Sequence, residues 1–285
     1  MMIVIGGMIG LGKTTMAELI SQKLNGAIYY ESVDDNPILP LYYTASEKEI
    51  ELKRYPFLLQ LYFLNSRFKT VKEAAINSIQ GLSVIDRSIY EDWYFANINK
   101  KLGRMSDLEF DIYEKLLSNM LEELATIPKK APDLMIYLDG SFDTVIKRIK
   151  NRGRSYELDP SLIDYYKLLH SGYKKWLLEH YNSSPVLIIN TDNLNIVDNI
   201  NDQNKVIDLI KSKIKEIAWN RLILSKLKSH IPMFYRVWLF NLLCSFIFSA
   251  LELFKVKVVF LKHTYKFILH INKIPPKYYV KYHTN

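Results

Sequence analysis

The chain is poor in cysteine. Among its 285 residues Cys244 stands alone, so no intrachain disulfide forms and no cysteine-based metal cluster can be built. A single thiol suits a reducing compartment, and a cytoplasmic location is expected. No apolar run reaches the ~20 residues that span a bilayer as a helix; the longest, beyond Arg236, has about fifteen. The opening Met1-Met2-Ile3-Val4-Ile5 has no basic lead and runs straight into glycines, so it does not read as a signal peptide. Ten Gly and ten Pro are too few for a collagen-like or disordered chain, and no internal repeat is present. Excess positive charge is also missing from most of the sequence. The net charge is +8, but from Asn220 onward eleven Lys/Arg face one acid, Glu252, which gives +10 there. Residues 1–219 keep 27 basic and 29 acidic residues, or −2, so no nucleic-acid partner is expected for the main domain.

What is present is an alternation of short apolar runs and helical periodicity. The runs occupy residues 3–7, 27–31, 82–86, 134–138 and 186–190. Helical spacing follows at Met16, Leu19, Ile20 and Leu24, from Pro56 toward Ile79, and over residues 107–124, 142–149, 160–180 and 205–218. Strands of four to eight residues alternating with helices predict an α/β fold, with a five-stranded parallel sheet covered on both faces. Ligands in such sheets bind beyond the carboxyl ends of the strands. Residues 190–204, rich in Asn and Asp, predict a surface loop.

The first strand end carries the most specific signal. Gly7, Met8, Ile9, Gly10, Leu11, Gly12, Lys13 and Thr14 fit GxxxxGK[ST], directly after a strand and opening a helix, with Thr15 next. Glycines let backbone N–H groups curl around phosphate, and the helix N-terminus adds favourable partial charge. Lys13 reaches the β- and γ-phosphates, and the Thr14 hydroxyl serves Mg²⁺. The motif predicts a nucleoside triphosphate but names no acceptor.

Other strand ends supply acceptor candidates. Tyr30-Glu31 follows the second run, Asp86-Arg87-Ser88 with Glu91-Asp92-Trp93 the third, and Arg148, Arg152, Arg154 and Glu157 lie beyond the fourth. Each alone reads equally as a solvated end or a surface ion pair. Gathered around one phosphate loop, they point to a site.

The stretches GGMIGLGKTT, YYESVDDNP, QLYFLNSRF, VIDRSIYEDWYFA and RIKNRGRSYE resemble the deoxyribonucleoside kinase family over residues 1–218. The resemblance implies a P-loop kinase that phosphorylates the 5′-hydroxyl of a deoxyribonucleoside. It makes Glu31 the general base, Asp86 a holder of Mg²⁺, and Arg87 the cation between Glu31 and the transferring group. Arg148, Arg152 and Arg154 become lid arginines over ATP. Glu157, with Tyr43, becomes a ligand of the 3′-hydroxyl. Gln60, Arg67 and Asp92 would read the base, and in the family such a set accompanies amino-bearing bases, with a purine or cytosine favoured here.

Two departures stand out. Residues 44–53 look like an insertion, and Tyr156 replaces a second acid beside Glu157. Residues 1–219 are expected to form the kinase domain and 220–285 a helical, basic extension. That extension carries thirteen aromatics between Phe234 and Tyr282 and has no family counterpart. Residues 236–270 suit either a membrane-surface contact or packing against the domain or a homodimer partner. Two other readings stay open: a thymidylate-type nucleotide kinase, and a nucleotide-binding switch module anchored by its tail.

Overall fold

The first strand is apolar throughout because it lies in the middle of the sheet. In the computed structural model, which describes residues 1–230 except 32, 34 and 128–130, β1 spans Met2–Gly7 and is buried along its whole length. It pairs in parallel with β3 (Ser83–Asp86) on one side and β4 (Leu134–Asp139) on the other. β2 (Ala27–Tyr29) adds to β3 and β5 (Val186–Asn190) to β4, giving the order β2-β3-β1-β4-β5. Five parallel strands in an α/β arrangement meet the expectation.

Alternation along the strands divides the core. Ile3 and Ile5 face one apolar cluster with Leu134, Ile136 and Leu138, while Met2 and Val4 face another with Ile85 and Met135. Each such fully buried side chain contributes about 1.5–3 kcal/mol of transfer free energy. The first cluster is closed by α1 (Lys13–Leu24), α8 (Ile163–His180) and α9 (Ile200–His230). The second is closed by α4 (Tyr55–Asn77), α5 (Asp92–Lys101) and α6 (Asp107–Leu124).

The apparent insertion is helical. After α2 (Leu39–Thr44), Ser46 and Glu49 form a reciprocal capping box that starts α3 (Glu47–Lys53). Arg54, at φ 55°, then ends α3 and begins α4, and its guanidinium grips Glu109 on α6. Glu109 itself caps α6 through Ser106, and Arg54 together with these bonds holds its carboxyl down at about 2. α7 (Phe142–Arg152) stops at Gly153, φ 72°, and a 3-10 turn, Ser155–Glu157, leads on toward α8.

β2 is shorter than its apolar run. Among the described residues it is an edge strand paired with β3 alone, and Tyr30 and Glu31 follow beyond its end. Met1–Asn220 forms one compact unit. Of the second unit, from Arg221, the described part is the end of α9; the membrane-surface contact expected of residues 236–270 lies outside the described residues. Among the described residues no helix is long and apolar enough to cross a membrane.

Candidate active site

Sequence order reverses about β1, whose neighbours are β3 and β4, and a cleft opens there at the carboxyl ends. The loop after β1 turns through Gly7, Gly10 and Gly12, all at positive φ. Gly7 is the tightest of these, since a Cβ there would lie 2.6 Å from the Leu138 carbonyl oxygen. Lys13, the first residue of α1, is buried and donates from Nζ to the Met8 carbonyl at 3.0 Å. Burial, and then Arg87, pull its pKa down to about 7. Thr14 donates from Oγ1 to Asp86 Oδ2 at 2.5 Å. Asp86 Oδ1 is buried with no hydrogen-bond partner among the described residues, and burial raises its pKa.

Arg87 occupies the left-handed region, φ 61°, where the chain leaves β3. That turn carries its guanidinium back under the loop. There it donates to the Gly7 carbonyl at 3.0 Å and to the Tyr173 hydroxyl at 3.2 Å, and it lies 4.7 Å from the centre of the Phe95 ring. Glu31 accepts from Arg67 and forms an ion pair with Arg87, whose Nε lies 3.3 Å away. Burial alone would raise the Glu31 carboxyl, but Arg67, Arg87 and Lys13 together hold it at about 2. Arg67, two turns along α4 from Gln60, also pairs with Asp92, the first residue of α5. Burial carries Asp92 up to about 6 despite that arginine.

Lys13, Glu31, Tyr43, Gln60, Arg67, Arg87, Arg152, Arg154 and Glu157 share one cleft. Phe63, Phe95, Leu39, Leu59, Tyr42 and Tyr165 line it as well; nothing in their spacing separates them from ordinary core residues. Tyr43 stacks on Tyr156 at 5.7 Å between centroids, so the tyrosine that replaces an acid packs instead against α2. Glu157 is paired with Arg152, and Arg154 lies 3.7 Å from it. Asp92 is not on the cleft wall. It stands behind Arg67, 1 % exposed, with Oδ2 unpartnered among the described residues.

Arg148 is placed elsewhere. It donates to the Leu11 carbonyl at 3.2 Å and to Thr191 Oγ1 and O at 2.9 and 2.6 Å, fastening the phosphate loop to the segment after β5. It borders a second, open cleft with Gly12, Thr15 and residues 191–197. The Asn- and Asp-rich loop is thus part of the site's surroundings. Glu91, grouped by the sequence with the candidates after the third strand, is fully buried away from the cleft and accepts from the Gly7 N–H at 3.0 Å.

No group of three or more His, Cys, Asp or Glu among the described residues can hold a metal by itself. The oxygen donors Thr14 and Asp86, with one carboxylate oxygen free, fit a hard cation that brings its remaining ligands along as phosphate and water.

A family model described as deoxynucleoside kinase matches residues 3–215. The deoxyguanosine kinase of Lactobacillus johnsonii is 45% identical over 219 residues, covering 76% of this chain and 93% of that protein. The deoxyadenosine kinase of Lactobacillus acidophilus is 44% identical, over 76% of this chain and 97% of that protein. The solved structure of deoxyadenosine kinase from M. mycoides with bound dATP superposes at TM-score 0.61 with 31% identity, over 75% of this chain and all of that one. These matches favour nucleoside phosphorylation over the thymidylate-kinase and switch-module alternatives. A phosphate loop facing a carboxylate and two arginines, and likeness across nearly the full length of such enzymes, place the chain in the deoxynucleoside kinase family, as an enzyme that phosphorylates deoxynucleosides with ATP as donor.

Proposed function

We propose that the chain transfers the γ-phosphoryl group of ATP to the 5′-hydroxyl of a deoxyribonucleoside with an amino-bearing base, a purine favoured. The observation that carries this reading is the meeting of Glu31, Arg87 and Lys13 in one cleft with Gln60 and Glu157 at its sides. The phosphate loop takes the nucleotide phosphates, and the cleft beside Arg148 and residues 191–197 takes the donor base. Thr14 and Asp86 would hold Mg²⁺, which neutralises phosphate charge when bound. Gln60 offers one donor and one acceptor to the base edge, and the Asp92 carboxylate, acting with Arg67, favours an exocyclic amine. Glu157 and Tyr43 take the 3′-hydroxyl.

In the reaction the 5′-oxygen bonds to the γ-phosphorus, the bridging oxygen leaves with ADP, and the hydroxyl proton passes to Glu31. Three cations around the carboxyl hold it near 2. Phosphates arriving beside Lys13 and Arg87 offset those cations, so the carboxylate becomes more basic when ATP is bound. The transition state is loose and the hydroxyl turns acidic late, so Glu31 first orients the nucleophile and then accepts its proton. Arg152 and Arg154 stabilise charge on the moving group.

Residues 1–219 carry this activity, and residues 220–285 are an extension of separate role. A homodimer is supported by Leu108, Ile112 and Leu116, exposed at i, i+4 and i+8 on α6. The single cysteine supports a cytoplasmic setting.

The test is ATP consumption by the purified protein with deoxyadenosine, deoxyguanosine, deoxycytidine, thymidine or dTMP. Turnover with amino-bearing nucleosides supports the proposal. Preference for thymidine refutes the base assignment, and activity on dTMP alone refutes the acceptor.

A further inference from the structure

The turn that follows Asp86-Arg87-Ser88 places a second carboxylate beneath the phosphate loop. Ile89–Glu91 is a single 3-10 turn, and Glu91 at its end has no exposed surface. Its Oε1 accepts from the Gly7 N–H at 3.0 Å and from the Tyr173 hydroxyl, and it lies 3.8 Å from Arg87 Nη1. Arg87 in turn donates to the Gly7 carbonyl at 3.0 Å and to Tyr173 at 3.2 Å. Gly7, Glu91, Tyr173 and Arg87 therefore close a ring drawn from the end of β1, the turn, α8 and the end of β3. Both polar groups of Gly7 are held by it.

The sequence accommodates this carboxylate at a second point. A Cβ on Gly6 would lie 2.7 Å from Glu91 Oε1, so a side chain there could be admitted only if this hydrogen-bonded carboxylate shifted. Glu91 lies beside Nη1 of Arg87, as Glu31 lies beside its Nε.

We propose that Glu91 is a positioning residue for phosphoryl transfer. It fixes the start of the phosphate loop against the Arg87 guanidinium, so donor phosphate and acceptor hydroxyl meet at one separation. It does not line the cleft and touches neither substrate. The inference rests on the proposed reaction and deepens it. An error of about 1 Å in such an arrangement costs on the order of a hundredfold in rate.

The experiment compares steady-state kinetics of the wild type, Glu91→Ala, Glu91→Gln and Tyr173→Phe, with thermal unfolding and ATP binding as controls. Glu91→Ala is expected to lower kcat on the order of a hundredfold while the nucleoside KM stays within about threefold. Glu91→Gln keeps an acceptor for Gly7 and Tyr173 and is expected to restore kcat to within about tenfold of wild type. Tyr173→Phe removes two bonds of the ring, those to Glu91 and Arg87, but leaves the Gly7–Glu91 bond; it is expected to fall between them, and with Glu91→Gln it carries the test if Glu91→Ala does not fold. A Glu91→Ala variant that melts earlier yet keeps kcat overturns the proposal, because the role is then structural alone. So does a loss expressed wholly in KM, or a Glu91→Gln variant no faster than Glu91→Ala. Wild-type turnover, measured alongside, reports on the reaction itself; the ratio of variant to wild type reports on Glu91.

Discussion

Glu31→Gln should damage both the chemistry and the fold, and the two losses can be separated. Arg67 and Arg87 both pair with this carboxylate, whose side chain is 15% exposed. The gap between its ordinary 4.5 and about 2 corresponds to about 3 kcal/mol favouring the charged form. An amide of the same shape forfeits that attraction and leaves two buried guanidinium groups with Asp92 and Glu91. Breaking a buried pair from one side typically costs about 3–5 kcal/mol, so the two routes agree. At roughly 2–4 °C per kcal/mol for a domain of this size, the melting temperature should fall by roughly 6–12 °C. The sign with pH is fixed as well. The folded value lies below the unfolded one, so this stabilisation is complete above 4.5 and is lost as pH falls toward about 2. Melting temperatures of wild type and Glu31→Gln should therefore converge on acidification.

Activity provides the second reading. Removing a general base that also orients the nucleophile costs about 10²–10⁴-fold in kcat, whereas ATP binding, which rests on the loop and Lys13, should survive. The assay is single-turnover transfer at saturating ATP, on protein shown by calorimetry to be folded at the assay temperature. Turnover within tenfold of wild type would refute the role of Glu31 in proton transfer. An unchanged melting temperature at neutral pH would refute the pairing with Arg67 and Arg87.

The remaining predictions concern the base, the loop and the dimer. Burial raises Asp92 to about 6, so the carboxylate proposed to favour an amino-bearing base is charged above that pH and neutral below it. The KM for such a nucleoside should rise as pH falls through about 6, and Asp92→Asn should flatten that dependence in initial-rate measurements. Gly7→Ala should destabilise severely in thermal unfolding, because its Cβ meets the Leu138 carbonyl oxygen at 2.6 Å. Gly12→Ala has nothing within 4 Å and should lose only about 1–2 kcal/mol to its positive φ. Ile112→Asp, on the exposed α6 stripe, should convert a homodimer to monomer in sedimentation while leaving the fold intact.

Strands and the phosphate loop were legible because their signals are local. An unbroken apolar run such as residues 2–5 identifies a central parallel strand, and GxxxxGKT names the turn that follows it. α3 was equally legible in principle, since Ser46 and Glu49 carry the spacing of a capping box. α5 carries no such mark, because its first residue, Asp92, is turned toward Arg67 instead of capping. Glu31 could be suspected from its place at a strand end. Its two arginines come from 36 and 56 positions away, and only the sheet order brings them together.

Glu91 shows why pattern reading stops short of the site. It stands four residues after Arg87, the spacing at which helix faces align, yet no helix connects them. The chain passes Arg87 at φ 61°, a conformation that a non-glycine residue adopts only when its surroundings enforce it. Those surroundings are Gly7, Tyr173 and Glu31, brought in by three other segments. A fully buried acid is rare because leaving water is costly for charge, and Glu91 is kept there by donors the sequence places 84 and 82 positions away. The sequence does record a consequence at Gly6, where a Cβ would lie 2.7 Å from that carboxylate. Within the loop's run of glycines that contact looks like phosphate binding. Only the fold shows that Gly6 lies against the acid beneath it.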